Sequence, residues 1–143
     1  MSLDGVYDPD NIFARILRHE LPCARVFEDE HALAFLDLFP QSRGHTLVLP
    51  KAPARNLLDI EGEALKELIV RVQRVAGAVK SALDPEGLTI SQFNGAAGGQ
   101  SVFHLHFHII PRWENQPLTG HGTAKADPDE LASLAERISA RLR

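Results

Sequence analysis

Apolar residues recur along the chain with spacings that predict particular elements. Between residues 61 and 83 they return every three or four positions, which gives one continuous helical face. That face comprises Leu65, Leu68, Ile69, Val72, Val75, Ala76 and Val79. A shorter helix is predicted over residues 11–20, capped by Asp10, and another begins at Asp127 with a proline in its first turn. The inward residues of this last helix are Leu131, Leu134, Ile138 and Leu142.

Short apolar runs bounded by turn residues predict five strands. They cover residues 24–28, 32–37, 46–49, 88–93 and 101–110. Because the strands come in runs joined by short turns, with few helices between them, an α+β fold with an antiparallel sheet is favoured over an α/β fold. A chain of 143 residues fits one domain, here residues 1–143. We expect residues 1–10 to be a disordered tail and residues 112–143 to be a C-terminal extension that contains the last helix.

Composition and charge restrict the function without identifying it. With 15 basic and 19 acidic side chains the formal net charge is −4, so net charge does not suggest broad binding to nucleic acid or membranes. Any anionic ligand must therefore be held by a local site. The single cysteine, Cys23, cannot form an intrachain disulfide. No apolar run approaches 18 residues, and the N-terminus lacks the apolar core of a secretory signal, so a cytoplasmic protein is expected.

One segment carries the candidate chemistry. It is His104-Leu105-His106-Phe107-His108-Ile109-Ile110. In a strand, successive side chains point to opposite faces, so the three histidines share one face and the apolar residues share the other. Three adjacent imidazoles need partners for six ring nitrogens, which core packing does not supply. The histidine face is therefore interpreted as a functional site.

Two chemistries compete for this histidine row. A metal could be shared by two of the imidazoles, but His104 and His108 would lie about 13 Å apart on a strand, and few further ligands besides His45 are at hand. The alternative is nucleophilic attack on phosphorus, since neutral imidazole is a good nucleophile near neutral pH. A neighbouring cationic histidine could stabilise phosphoryl charge. The glycine-rich loop over residues 94–101 supports this alternative, because backbone N–H groups there could approach phosphate oxygens.

These residues resemble the histidine triad family, whose pattern His-φ-His-φ-His-φ-φ (φ apolar) is complete at residues 104–110. Four other segments resemble the family in the same order: residues 11–16, 26–37, 44–51 and 98–102. The resemblance implies a five-stranded antiparallel sheet with a long central helix and flanking N- and C-terminal helices. It also implies a homodimer in which the sheet continues across the interface formed by the long helix and the fourth strand.

The resemblance also implies a role for each site residue. His106 would attack the α-phosphorus of a purine nucleotide derivative and form a nucleotidyl-histidine, with His108 on the phosphate and leaving group. His104 would orient and support the site electrostatically, and His45 would lie beside the triad. Phosphate or leaving group would be held by Asn94, Gln100 and Ser101, and the ribose by Asp37. The base pocket would comprise Ile12, Phe13, Ile16, Phe35 and Leu38.

Departures from the family pattern bear on metals and on the subfamily. Some relatives bind structural zinc through two cysteines in the first helix and a histidine after the third strand. This chain has Asn11 and Ala14 at the cysteine positions and residues 51–53 lack the histidine, so structural zinc is not expected. We expect no required cofactor, although a polyphosphate substrate could bring Mg²⁺ with it. Pro111 and Arg112 are similar to the dinucleoside polyphosphate hydrolases, whereas Ser101 is similar to the phosphoramidases, so the substrate stays open.

The sequence therefore predicts a hydrolase or transferase that cleaves at the α-phosphate, with nucleoside phosphoramidates as the favoured substrates. Dinucleoside polyphosphate hydrolysis is one alternative. A nucleotide-binding regulatory module with little catalysis is another. The leaving group, the base preference and the role of the segment after Trp113 are not specified by the sequence.

Overall fold

In the computed structural model, which describes residues 2–118 and 124–142, three helices and five strands follow one another along the chain. The helices are α1 (Ile12–Leu17), α2 (Gly62–Leu83) and α3 (Pro128–Ala140). The strands are β1 (Arg25–Glu28), β2 (Ala32–Leu36), β3 (Thr46–Pro50), β4 (Gly87–Ser91) and β5 (Phe107–Arg112). A 3₁₀ turn, Ala96–Gly98, lies in the glycine-rich loop.

The strands form one antiparallel sheet in the order β1-β2-β3-β5-β4. The last strand of the chain thus lies between β3 and β4, and the register pairs His108 with Leu47 on one side and with Ser91 on the other. This arrangement confirms the predicted α+β class and its five-stranded sheet.

One face of the sheet is covered by α2 and α3. Leu68, Val75 and Val79 of α2 are buried, as are Leu134 and Ile138 of α3. They pack against alternate residues of the strands, namely Ala32, Ala34, Leu36, Val48 and Ile109, and against Leu105 shortly before β5. Ile69, predicted to face inward, is 45% exposed, because the buried stripe of α2 is narrower than its run of apolar residues.

The opposite face carries a second apolar cluster beneath α1. Phe13 and Ile16 pack against Leu33, Phe35, Leu47 and Leu49, which are the other alternate residues of β2 and β3. The N-cap of α1 is Asn11 rather than Asp10, since the Asn11 side chain accepts a hydrogen bond from the Ala14 N–H at 2.9 Å. The helix ends at Leu17, short of the predicted residue 20, and His19 just beyond it has a φ of 63°.

β5 begins at residue 107 rather than at 101, and Pro50 explains the difference. Continuing the β3–β5 register would pair Pro50 with Leu105, but proline has no N–H for the ladder. The Leu105 N–H instead donates to the Ala54 carbonyl at 2.9 Å. Side chains nevertheless keep alternating through this segment, because Leu105, Phe107 and Ile109 lie on the α2 side while the histidines lie on the other.

The N-terminal residues differ from the predicted disordered tail. The Arg55 guanidinium donates to the Ser2 carbonyl at 3.1 Å, and the Asn56 amide donates to the Leu3 carbonyl at 2.8 Å. The Tyr7 hydroxyl lies 2.6 Å from Nδ1 of His104. Residues 2–7 therefore run over the histidine side of the sheet, held by side chains from residues 55 and 56.

The helices in the described part of the chain each have one apolar side and one charged side. On α2, for example, Arg71 donates hydrogen bonds to Asp29 and Glu67 at 2.6 and 3.2 Å. None of the described helices is both long enough and apolar enough to span a membrane.

Candidate active site

His104 is fully buried, and both of its ring nitrogens have partners. Nε2 lies 2.9 Å from the Pro50 carbonyl, which can only accept, so Nε2 carries the proton. Nδ1 is then an acceptor and accepts a hydrogen bond from the Tyr7 hydroxyl. Burial, opposed by the hydrogen bond to the Pro50 carbonyl and assisted by the charge that His106 can carry, lowers the pKa of His104 to about 4. His104 is therefore neutral at pH 7.

His106 is held in the opposite tautomer. Its Nδ1 lies 2.6 Å from the backbone carbonyl of His104, so Nδ1 donates and, in the neutral ring, the lone pair is on Nε2. The edge-to-face contact with Phe13, with ring centroids 4.8 Å apart, fixes the plane of the imidazole. The residue is 8% exposed. A histidine fixed in this way presents a directed nucleophilic nitrogen.

His108 is oriented through His45 rather than by the backbone alone. The Gln41 N–H donates to Nδ1 of His45 at 3.0 Å, so the proton of neutral His45 is on Nε2. That Nε2 lies 2.9 Å from Nδ1 of His108 and 3.6 Å from Oδ2 of Asp37. His108 therefore accepts at Nδ1 and carries its own proton on Nε2. Neutral His106 and His108 thus present an acceptor and a donor with ring centroids 5.0 Å apart.

Asp37, His45 and His108 also form the one cluster of potential metal donors found in the described residues, with their donor atoms within 4.8 Å of one another. Two ligand atoms on a tetrahedral Zn²⁺ at about 2.0–2.1 Å stand roughly 3.3 Å apart. The two imidazole nitrogens are closer than this, at 2.9 Å, and that spacing fits a hydrogen bond. In this structure the two imidazoles therefore form a hydrogen-bonded pair.

The carboxylate predicted to bind ribose lies beside this pair. Asp37 is buried at the end of β2, where its Oδ1 accepts the Phe39 N–H at 2.8 Å. Of the predicted base-pocket residues, Phe13, Ile16 and Phe35 are buried together in the cluster under α1. Ile12 and Leu38 are 50% and 39% exposed. An apolar surface with an open edge thus adjoins the carboxylate.

The glycine-rich loop is held by the two amide side chains, Asn94 and Gln100, that are predicted to bind phosphate or leaving group. Gln100 accepts the Gly95 N–H and donates to the carbonyls of Arg55 and Val102. Asn94 accepts the Leu57 N–H at 2.9 Å and exchanges hydrogen bonds with Gln92. Contacts within the chain thus occupy both amides, and Gln100 is buried.

The backbone N–H groups of the loop are largely used within it as well. Those of Gly98, Gly99 and Gln100 donate to loop carbonyls. Ser101, the third predicted phosphate ligand, is exposed. The loop is therefore a closed turn that ends in an accessible hydroxyl.

Two side chains at the histidines were not predicted. Tyr7 contacts His104, and the Phe93 ring lies 5.3 Å from that of His108. Phe93 packs near Gly99, whose φ of +104° favours glycine. Neither residue belongs to a motif, so no pattern in the sequence connects it to the histidines.

A groove of about 400 Å³ lies elsewhere, between the loop at residues 40–44, Trp113 and α3. None of the described residues that line it is a histidine. This groove and the histidines therefore do not coincide, and we place the candidate site at the histidines because their hydrogen bonds fix which ring nitrogens donate and which accept.

Comparison with known proteins agrees with this geometry. The HIT domain model matches residues 18–115, which is more than half of the chain. The chain belongs to the HIT family. This HIT protein is 39% identical over 135 residues to the protein hit of Bacillus subtilis, covering 92% of this chain and 93% of the relative.

Two further relatives of this HIT protein are named as hydrolases. The adenosine 5'-monophosphoramidase hnt1 of Schizosaccharomyces pombe is 34% identical over 134 residues, covering 92% of this chain and 98% of the relative. The adenylylsulfatase HINT3 of Arabidopsis thaliana is 34% identical over 136 residues, covering 90% and 68%.

A solved structure of a similar protein shares this fold. A crystal structure of a Hit-like protein involved in cell-cycle regulation from Bartonella henselae superposes with a TM-score of 0.92 at 48% identity, covering 96% of this chain and all of that one. The family and its fold are thus established together. Family membership and the names of these relatives support nucleotide hydrolysis in general.

Proposed function

We propose that this HIT protein cleaves at the α-phosphate of purine nucleotide derivatives, such as nucleoside phosphoramidates, through a covalent nucleotidyl-His106 intermediate. The observation that supports this most directly is the 2.6 Å hydrogen bond from His106 Nδ1 to the His104 carbonyl. Nε2, which bears the lone pair of the neutral ring, is then the reacting atom. The names of the phosphoramidase and adenylylsulfatase relatives favour the same reaction class.

In the first step, the leaving nitrogen takes up a proton from solvent, His106 Nε2 forms a bond to phosphorus and the P–N bond breaks, so that the free amine leaves. In the second step, water attacks phosphorus, the P–Nε2 bond breaks and the proton of the attacking water passes to solvent, which releases the nucleoside monophosphate and regenerates neutral His106. The Nε2–H of His108 donates a hydrogen bond to a phosphoryl oxygen or to the departing atom. Asp37 would accept the ribose hydroxyls, and the base would lie on Phe13, Ile16 and Phe35, with Ile12 and Leu38 at its edge.

A covalent adduct is the test of this mechanism. The protein is mixed with adenosine 5'-phosphoramidate, quenched in the pre-steady state and weighed by mass spectrometry. We expect an added adenylyl mass on the wild type, none on His106→Asn, and a fall in turnover of at least about 10³-fold for that variant. His19→Asn is the matched control, because its position has a positive φ that Asn tolerates and its side chain is largely exposed. Turnover by His106→Asn at the wild-type rate would contradict the assignment.

The rival function, a nucleotide-binding regulatory module, makes the opposite prediction for the same experiment. It binds purine nucleotides but gives neither adduct nor turnover. Comparing kcat/KM for the phosphoramidate with that for a dinucleoside polyphosphate then separates the two hydrolase alternatives. We expect the phosphoramidate to be preferred, and activity on it to survive EDTA, since no step above requires a metal.

We also propose that the protein forms a homodimer through β4 and α2. β4 is an edge strand of the sheet, and its Ile90 is 45% exposed. On α2, Ile69 and Val70 are similarly exposed. An apolar edge strand that is left open tends to pair with another chain. Sedimentation analysis should show a dimer for the wild type and a monomer for Ile90→Lys. A monomeric wild type would contradict the proposal.

A further inference from the structure

The residues before the HIT domain match contribute a side chain to the histidine site. The matched region begins at residue 18, whereas Tyr7 lies eleven positions earlier and contacts His104. The segment that carries Tyr7 is tied to the glycine-rich loop as well, since the Ala96 N–H donates to the Ser2 hydroxyl at 2.9 Å. Leu3 lies over Gly95, where a Cβ would meet its side chain at 3.1 Å. The segment that carries Tyr7 therefore makes specific contacts with the rest of the chain.

The direction of the Tyr7 hydrogen bond follows from its neighbours. Because the Nε2–H of His104 donates a hydrogen bond to the Pro50 carbonyl, Nδ1 carries a lone pair, which can only accept from the Tyr7 hydroxyl. Burial raises the pKa of Tyr7, so its hydroxyl keeps its proton at neutral pH. Tyr7 donates and His104 accepts. As a donor, the hydroxyl stabilises the neutral ring, and protonation of His104 at Nδ1 requires that hydrogen bond to be broken or reversed.

A neutral His104 matters for the step at His106. When His106 Nε2 bonds to phosphorus while Nδ1 keeps its proton, the ring becomes cationic. A second cation on His104, whose carbonyl holds the His106 ring, would repel that charge and disfavour the intermediate. The titratable groups that act on His104 are Tyr7 from the N-terminal segment and His106 from its own segment, and β3 adds the uncharged Pro50 carbonyl.

We propose that Tyr7 is a positioning residue for the reaction, which holds His104 neutral and in its Nε2–H tautomer while His106 carries the nucleotidyl group. This inference rests on the proposed function. It differs from it in assigning a site role to a residue outside the HIT domain match.

The test combines a spectroscopic and a kinetic measurement on Tyr7→Phe, which keeps the ring and removes only the hydroxyl. With ¹⁵N-labelled histidine, NMR titration should show the Nδ1 resonance of His104 moving toward that of an unbonded acceptor, and its protonation midpoint rising. We expect kcat/KM for the phosphoramidate to fall about threefold to tenfold at pH 7.5, consistent with loss of one hydrogen bond, and to fall further below the wild type at pH 5.5. Val6→Ala is the control, since Val6 is adjacent to Tyr7 and 91% exposed.

The possible outcomes separate the two proposals. An unchanged His104 titration in Tyr7→Phe overturns the inference, whatever the activity. A changed titration with wild-type kcat/KM at both pH values overturns the positioning role. A wild type without any turnover contradicts the proposed function instead, and the NMR titration still reports on the contact. Changes in both measurements, with Val6→Ala unaffected, support the inference.

Discussion

The two faces of the sheet meet in one short segment, and they are built on different principles. Leu105 and Ile109 pack against α2 in an apolar cluster where volume and shape determine the fit. His104, His106 and His108 alternate with them, and each is fixed by specific hydrogen bonds to Pro50, to a backbone carbonyl and to His45. One face therefore tolerates exchange among similar apolar side chains, whereas the other depends on which nitrogen carries each proton.

The comparison can be broken most strongly at Leu105, which is fully buried. Leu105→Ala should lower the free energy of unfolding by about 2–5 kcal/mol, because it removes buried apolar atoms and leaves a cavity. Urea denaturation measures this loss. At a temperature where the variant stays folded, kcat/KM should remain within about threefold of the wild type.

The adjacent residue on the other face should behave in reverse. His106→Asn should abolish turnover while costing about 1 kcal/mol of stability, the contribution of one hydrogen bond. If His106→Asn destabilised the protein as much as Leu105→Ala does, the distinction between a packing face and a chemical face would be wrong.

The pH dependence of stability sharpens the comparison next. An unfolded histidine titrates near 6.5, whereas burial holds the pKa of His104 at about 4 in the folded protein. Between these values the unfolded state binds the extra proton, so stability is complete above pH 6.5 and falls as the pH is lowered toward 4. The loss is on the order of 3 kcal/mol.

The control for this effect is His104→Gln, which cannot titrate. Denaturation at a series of pH values from 7 to 4 should show a smaller loss in His104→Gln than in the wild type, by about that amount. Equal losses in the two proteins would mean that His104 is protonated in the folded state.

The smallest expected effect is at Phe93, whose ring extends the histidine row. Phe93→Leu should reduce kcat/KM for a benzylamine phosphoramidate by about threefold relative to a cyclohexylmethylamine phosphoramidate, because a flat leaving group can stack on the phenyl ring. The ratio of the two kcat/KM values is the measurement. Phe27→Leu, on β1 and under Arg74, is the control for loss of a phenyl ring elsewhere.

Much of this arrangement could be predicted because it depends on local periodicity. The α2 face and the alternation around His106 follow from spacings of three to four and of two residues, and the triad pattern indicated the candidate site. The predicted start of β5 was less accurate, because it depends on the missing N–H of a single residue, Pro50. The histidine face itself was predicted correctly although half of its segment is not a strand.

The parts that sequence could not supply are contacts between distant residues. Tyr7 and His104 are separated by 97 positions, and the amide of Gln100 meets Arg55 across 45. No periodicity connects such pairs, and Asn94 and Gln100 carry the same groups whether they hold a phosphate or a loop. Only their partners distinguish the two roles.

Pro50 has a consequence beyond ending a strand. In an extended chain the N–H and C=O of one residue point to the same neighbour, so the residue that offers β5 no donor also turns its carbonyl toward that side. With no backbone N–H bonded to it from residue 105, that oxygen is left to a side chain. The interruption in the main-chain ladder thereby provides the acceptor that orients the imidazole of His104.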